Sequence, residues 1–136
     1  MGSRRDARRA AIDILFQADV TGTDPIAALA GREDLRGPVA DFTRELVEGT
    51  VARLLEIDRR LEASAEDWHV ERMPALDRTI LRVATFELIG RPDVPPAAAI
   101  DEAVEAANQL STEDSGRFVN GVLGAISRDL AEQPKG

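Results

Sequence analysis

The sequence predicts an all-α fold. Three observations carry that expectation: apolar residues recur three and four apart along most of the chain, no stretch alternates Val, Ile or Thr with polar residues over a strand's length, and Pro and Gly sit where helices would begin and end. A length of 136 residues sets the expectation of one domain. At that size folding buries about two thirds of the surface of the unfolded chain, so no metal or disulfide is needed to hold it.

The first helix is expected from about Arg4 to Val20, where Ile12, Leu15, Phe16 and Val20 form one apolar stripe. Thr21-Gly22-Thr23 ends it. Asp24 then has N-cap chemistry and Pro25 suits a first helical position, opening a short helix that stops at Gly31. Residues 31 to 37 read as a charged loop. After Pro38 a long helix is expected to about Leu61, with Val39, Phe42, Leu46, Thr50, Leu54, Ile57 and Leu61 along one face. Pro74 starts a helix carrying Leu76, Ile80, Leu81, Ala84 and Leu88, which Gly90 terminates. Asp93-Val-Pro-Pro96 is a stiff turn, and the next helix, from about Pro96 to Leu110, buries Ile100, Ala103, Val104, Ala107 and Leu110. Asp114 or Ser115 caps a last helix whose inner side holds Phe118, Val119, Val122, Leu123, Ile126 and Leu130, and Gln133-Pro-Lys-Gly136 is a polar tail.

Composition removes several function classes. With no Cys there is no disulfide, thiolate nucleophile or CxxC zinc site. No run of 18 apolar residues could span a membrane, no apolar segment follows the first arginines as in a secretory signal, and the opening MGSRRD lacks the Ser or Thr that myristoylation wants at position 6. The expectation is a cytoplasmic protein without a membrane partner. A single histidine, His69, cannot build a metal site, and no nucleophile elbow accompanies it. Asp101, Glu102 and Glu105 stand in the first turns of their helix, where the macrodipole favours carboxylates. Gly121-Val-Leu-Gly124 matches a GxxG loop but sits inside an amphipathic helix, where close packing of a neighbour is the expected use. Phosphate-cradling glycine motifs are absent. Neither an enzyme, a cofactor nor a metal is expected.

Charge gives the most informative pattern. Seventeen Lys plus Arg against 25 Asp plus Glu leave a net charge of −8, which on average opposes a nucleic-acid partner. Yet Arg4, Arg5, Arg8 and Arg9 against Asp6 make the first ten residues +3, so the remainder sums to −11. Arg4/Arg8 and Arg5/Arg9 are like-charge pairs that each destabilise an isolated helix by about 0.2–0.5 kcal/mol, at a helix end that disfavours cations. Two readings stand: a solvated terminus that tolerates any charge, or a site where guanidinium groups fork onto phosphates. All but one of the 17 basic residues are Arg, with Lys135 the exception, so a general bias in usage also explains part of the pattern. A second candidate is Asp114-Ser115-Gly116-Arg117-Phe118, where free backbone N–H groups, a small pair and an Arg beside a ring would suit a phosphate and a stacked base. Phe118 equally suits a core position.

Glu113-Asp-Ser-Gly-Arg-Phe-Val-Asn-Gly-Val-Leu123, preceded by Asp93-Val-Pro-Pro96, Ile100-Asp-Glu-Ala-Val104 and Leu76-Asp-Arg-Thr-Ile-Leu-Arg-Val-Ala84, closely resembles the bacterial NusB family of transcription antitermination factors. The arginine-rich start followed by Ala10-Ala-Ile-Asp-Ile-Leu-Phe16 fits the same family, and the region from about Asp24 to Pro38 matches least. The resemblance implies about seven helices in two packed small bundles, dividing a single NusB-like domain near residue 62 into halves of about 1–62 and 63–136. It further implies a heterodimer with NusE, a small-subunit ribosomal protein, that binds boxA of nascent ribosomal RNA as single-stranded RNA and joins RNA polymerase and other Nus factors.

Carried over residue by residue, the RNA side comprises Arg4, Arg5, Arg8, Arg9, Asp114, Arg117 and Phe118, and the NusE side Phe16, Glu71 and Asp77. Phe16 departs from a family position associated with Tyr, which removes any hydroxyl hydrogen bond there. Some members of the family form homodimers, and the sequence leaves that state open. Two other readings stand beside this one. One is a stand-alone relative of the NusB-like domain of RNA cytosine methyltransferases, for which the chain has neither a cofactor-binding domain nor a Cys; the other is a non-catalytic helical adaptor that binds protein alone.

Overall fold

The computed structural model describes residues 3–65 and 68–133. These form seven α-helices and one 3₁₀ turn, with no strand among the described residues. The helices are α1 (Arg4–Thr21), α2 (Pro25–Arg36), α3 (Asp41–Ala52), α4 (Leu54–Ser64), α5 (Ala75–Gly90), α6 (Pro96–Leu110) and α7 (Glu113–Glu132), with the 3₁₀ turn at Val70–Arg72. The all-helical expectation holds. Of the expected polar tail, Gln133–Gly136, the last three residues, including Lys135, lie outside the described residues.

α1 starts with a capping box. The Ser3 hydroxyl accepts from the Asp6 N–H at 3.1 Å, and the Asp6 carboxylate accepts from the Ser3 N–H in return. It ends at Gly22, whose φ of +70° is the left-handed cap that glycine adopts without a Cβ penalty. Asp24 caps α2 through the Ala27 N–H at 3.0 Å, with Pro25 in the first turn, as expected.

Two expected boundaries are wrong. α2 does not stop at Gly31 but continues through the supposed charged loop to Arg36 and ends at Gly37, φ +85°. A helical Gly costs only about 1 kcal/mol, and the added turns are tied to other helices. Arg32 donates to Asp13 of α1 at 2.9 Å, while Glu33 receives Arg44 of α3 and the Val39 N–H. The long helix after Pro38 is in fact two, broken at Arg53 (φ −112°, ψ 20°). Leu46, Ile57 and Leu61 are all buried on the common stripe, so the periodicity runs through the break.

α5 forms the centre. It touches α1 and α3 on one side and α6 and α7 on another, and residues 79–87 are buried except the half-buried Arg82, as expected of a helix surrounded by others. One cluster of buried hydrophobic residues draws on all seven helices. Gly49 of α3 faces the Phe86 ring so closely that a Cβ there would overlap it. α6 buries small residues, Ala99, Ala103, Ala106 and Ala107, of which Ala99, Ala103 and Ala106 face α1 and α5; α7 packs against α6 and buries Val119, Val122, Leu123 and Ile126.

Other corrections are local. Val20 and Leu110, expected in the core, are 57% and 46% exposed. α7 is capped by neither Asp114 nor Ser115; Thr112 does it, its hydroxyl accepting from the Ser115 N–H at 3.0 Å. Gly121 faces open space and Gly124 only the Arg128 side chain, so this pair does not serve close helix packing. Gly116 does, lying against the Asn108 amide of α6.

Candidate nucleic-acid interface

The four arginines of α1 are each met by a partner from distant sequence. Arg8 is buried and forks onto Glu87 of α5 at 2.8–3.0 Å, a pair whose side chains are 11% and 1% exposed. Arg5 reaches Glu102 at 3.3 Å and also Glu105, both on α6, and Arg9 donates to Gln109 of the same helix at 2.8 Å. Arg4 lies 4.7 Å above the Phe42 ring and 3.3 Å from Asp93. Arg91 occupies the same ring at 4.9 Å and forks onto Asp93 at 2.9 Å. The Arg91 guanidinium, with Arg4 beside it, holds the Asp93 carboxyl well below the usual carboxylate range.

This arrangement corrects the electrostatic argument made from sequence. The repulsion between the arginines needs no polyanion, because carboxylates of α5, α6 and the Asp93 turn already offset it. Arg8 is a structural cation, whereas Arg4 and Arg5 keep about half of their side chains exposed and can exchange partners.

At the start of α7, Asp114 and Arg117 are exposed, at 86% and 71%, and pair with each other. Phe118 is half-buried against the core, so it joins the inner stripe only in part. Its ring meets Trp68, tilted by 60° with centroids 6.0 Å apart. Trp68 is 47% exposed. Its neighbour His69, singled out from the sequence, is exposed and stands 3.9 Å from Glu62; the signal for Trp68 itself is that it is the single Trp of the chain. A depression of about 280 Å³ lies between Val104 and Asn108 of α6 and Gly116, Arg117 and Asn120 of α7. The last turns of α6 therefore touch both segments: Gln109 meets Arg9, and Asn108 meets Gly116.

The remaining candidates lie around the start of α5. Phe16 is half-buried on α1, and Glu71 is exposed in the 3₁₀ turn. Arg78 draws these segments together, donating to the carbonyls of Val70, Glu71 and Met73 and to the carboxylate of Asp19 on α1. Asp77 behaves differently. It is 5% exposed, and its Oδ2 accepts from the Ser115 hydroxyl at 3.1 Å. Burial pushes its carboxyl pKa up, opposed by that hydrogen bond.

Among the described residues no group of three or more His, Cys, Asp and Glu could hold a metal ion, and no helix is long and apolar enough to cross a membrane. The distinctive chemistry of these faces is surface guanidinium groups with half-exposed rings on an all-helical frame, which fits a nucleic-acid-binding protein. The NusB family model matches residues 5–128. A transcription antitermination protein NusB of Saccharopolyspora erythraea is 52% identical over 131 residues, covering 93% of this chain and 88% of the relative. The solved T. maritima NusB is 34% identical with a TM-score of 0.83, covering 94% and 92% of the two chains. A crystal structure of antitermination factors NusB and NusE in complex with double-stranded RNA has a chain 26% identical, TM-score 0.82, covering 93% and 96%. The chain belongs to the NusB family of transcription antitermination proteins, which are not enzymes.

Proposed function

We propose that this protein binds the boxA element of nascent ribosomal RNA as a single strand, together with NusE, and that the resulting complex joins RNA polymerase and other Nus factors in the cytoplasm. The observation that carries this reading is the placement of Arg5 and Arg9 along α6, with Arg4 at the turn that precedes it, and of Arg117 and Phe118 at the start of α7, whose Gly116 lies against Asn108 of the same helix. Guanidinium groups there can exchange an exposed carboxylate for a phosphate. A ring such as Phe118 stacks on an unpaired base and not on one inside a duplex, which favours a single strand. The solved complex of similar fold, which holds NusB with NusE and double-stranded RNA, supports NusE and RNA as partners; the single strand rests on Phe118 alone.

The NusE side takes the exposed Glu71 and the neighbouring Phe16. Asp77, grouped with them by the resemblance, is buried and offers that surface no accessible carboxylate. The strongly acidic remainder of the chain, −11 outside the first ten residues, suits a basic ribosomal protein by steering its encounter. Titration of boxA RNA and a scrambled strand, with and without NusE, tests the reading. Sequence-selective binding that NusE strengthens is the expected result. NusE binding with no effect on RNA would instead identify a protein-binding adaptor.

A further inference from the structure

Ser115 has every hydrogen-bonding site of its hydroxyl engaged. It donates to Asp77 Oδ2 at 3.1 Å, leaving it to accept from Ser111 at 3.0 Å and Thr112 at 3.2 Å, while its N–H donates to the Thr112 hydroxyl. Asp77 is less well served. Its Oδ1 is buried and meets no donor, so an acid is retained where an apolar side chain would avoid the desolvation cost. Its surroundings explain how it is tolerated: it sits in the first turn of α5 and faces the first turn of α7, two positive helix ends.

We propose that the Asp77–Ser115 bridge sets the first turn of α7 in the position from which Arg117 and Phe118 meet RNA, making Asp77 a positioning residue for the RNA face instead of a contact for the protein partner. The inference rests on the RNA reading above. Arg117 and Phe118 follow Ser115 by two and three residues, so a shift of that turn moves both. The neighbouring Arg78 grips the 3₁₀ turn that carries Glu71. One turn of α5 thus anchors the α7 start on one side and the expected NusE surface on the other.

Four variants, Ser115→Ala, Asp77→Ala, Asp77→Asn and the double Ala variant, are compared with the unaltered chain for RNA affinity, NusE affinity and Tm. Ser115→Ala and Asp77→Ala are expected to weaken RNA binding about two- to tenfold, the range of one hydrogen bond, and to leave NusE affinity unchanged. The double variant should be no weaker than the weaker single one, because both remove the same link. Asp77→Asn keeps an acceptor oxygen for Ser115 and should retain most of the RNA affinity; it also keeps the test open if Asp77→Ala fails to fold. Ser115→Ala binding RNA like the unaltered chain overturns the bridge, and so does an Asp77→Asn variant impaired for NusE but not for RNA. An unaltered chain that binds no RNA, with or without NusE, overturns the RNA reading and the bridge together.

Discussion

Arg5 and Arg8 are the same residue type one turn apart, and the fold gives them opposite work. Arg8 compensates the buried carboxylate of Glu87. Arg8→Ala should lower stability by about 3–5 kcal/mol, read as a fall in Tm, because it strands that charge. Arg5 makes exposed pairs with Glu102 and Glu105, so Arg5→Ala should cost less than about 1 kcal/mol and reduce RNA affinity instead. Asp114 offers a test in the other direction. Since Thr112 and not Asp114 caps α7, Asp114→Asn removes no cap, and it releases Arg117 from its exposed partner. It should leave Tm nearly unchanged and tighten boxA binding at matched salt; unchanged or weaker affinity would place Asp114 away from the RNA. The sequence displays which positions are arginine, but these partners lie 79 to 100 residues away, beyond what spacing along one helix can reveal.

Elements were legible where they carried local chemistry. Asp24 with Pro25, Pro74 and Gly22 marked helix ends correctly because their effects act within one turn. The end of α2 and the break at Arg53 were hidden because tertiary contacts decide them. Glu33 is held by Arg44 and Val39, and Arg53 reaches both Glu56 and the Ile89 carbonyl at the end of α5. The cap of α7 was misplaced by two or three residues for another reason: Ser111, Thr112, Asp114 and Ser115 all have capping chemistry, and only the structure shows which hydroxyl reaches an N–H. Thr112→Ala should therefore lower stability by roughly 1 kcal/mol. The turn before α6 carries a pH dependence. Asp93 has a folded pKa below its ordinary value, so its contribution is fully present above about pH 4 and lost as pH falls toward the folded value. Thermal melts of Asp93→Asn should show a shallower fall in Tm below that pH than the unaltered chain.

For the whole molecule, the net charge of −8 combines surfaces of different kinds. The fold brings the arginine start of α1 and the start of α7 against the same helix, α6, a juxtaposition of residues more than 100 positions apart. No periodicity argument reaches that far; family resemblance did, by treating the two segments as parts of one surface. It also grouped Asp77 with Glu71, and here burial separates them. Because carboxylates already occupy Arg4, Arg5 and Arg117, RNA affinity of the chain alone should be modest and should rise with the charge that NusE brings. The most direct measurement is the affinity for single-stranded boxA RNA over a range of salt. Arg4, Arg5, Arg9 and Arg117 acting on phosphates should give a log–log slope of roughly −3. A flat salt response would contradict the assignment of this arginine face to RNA.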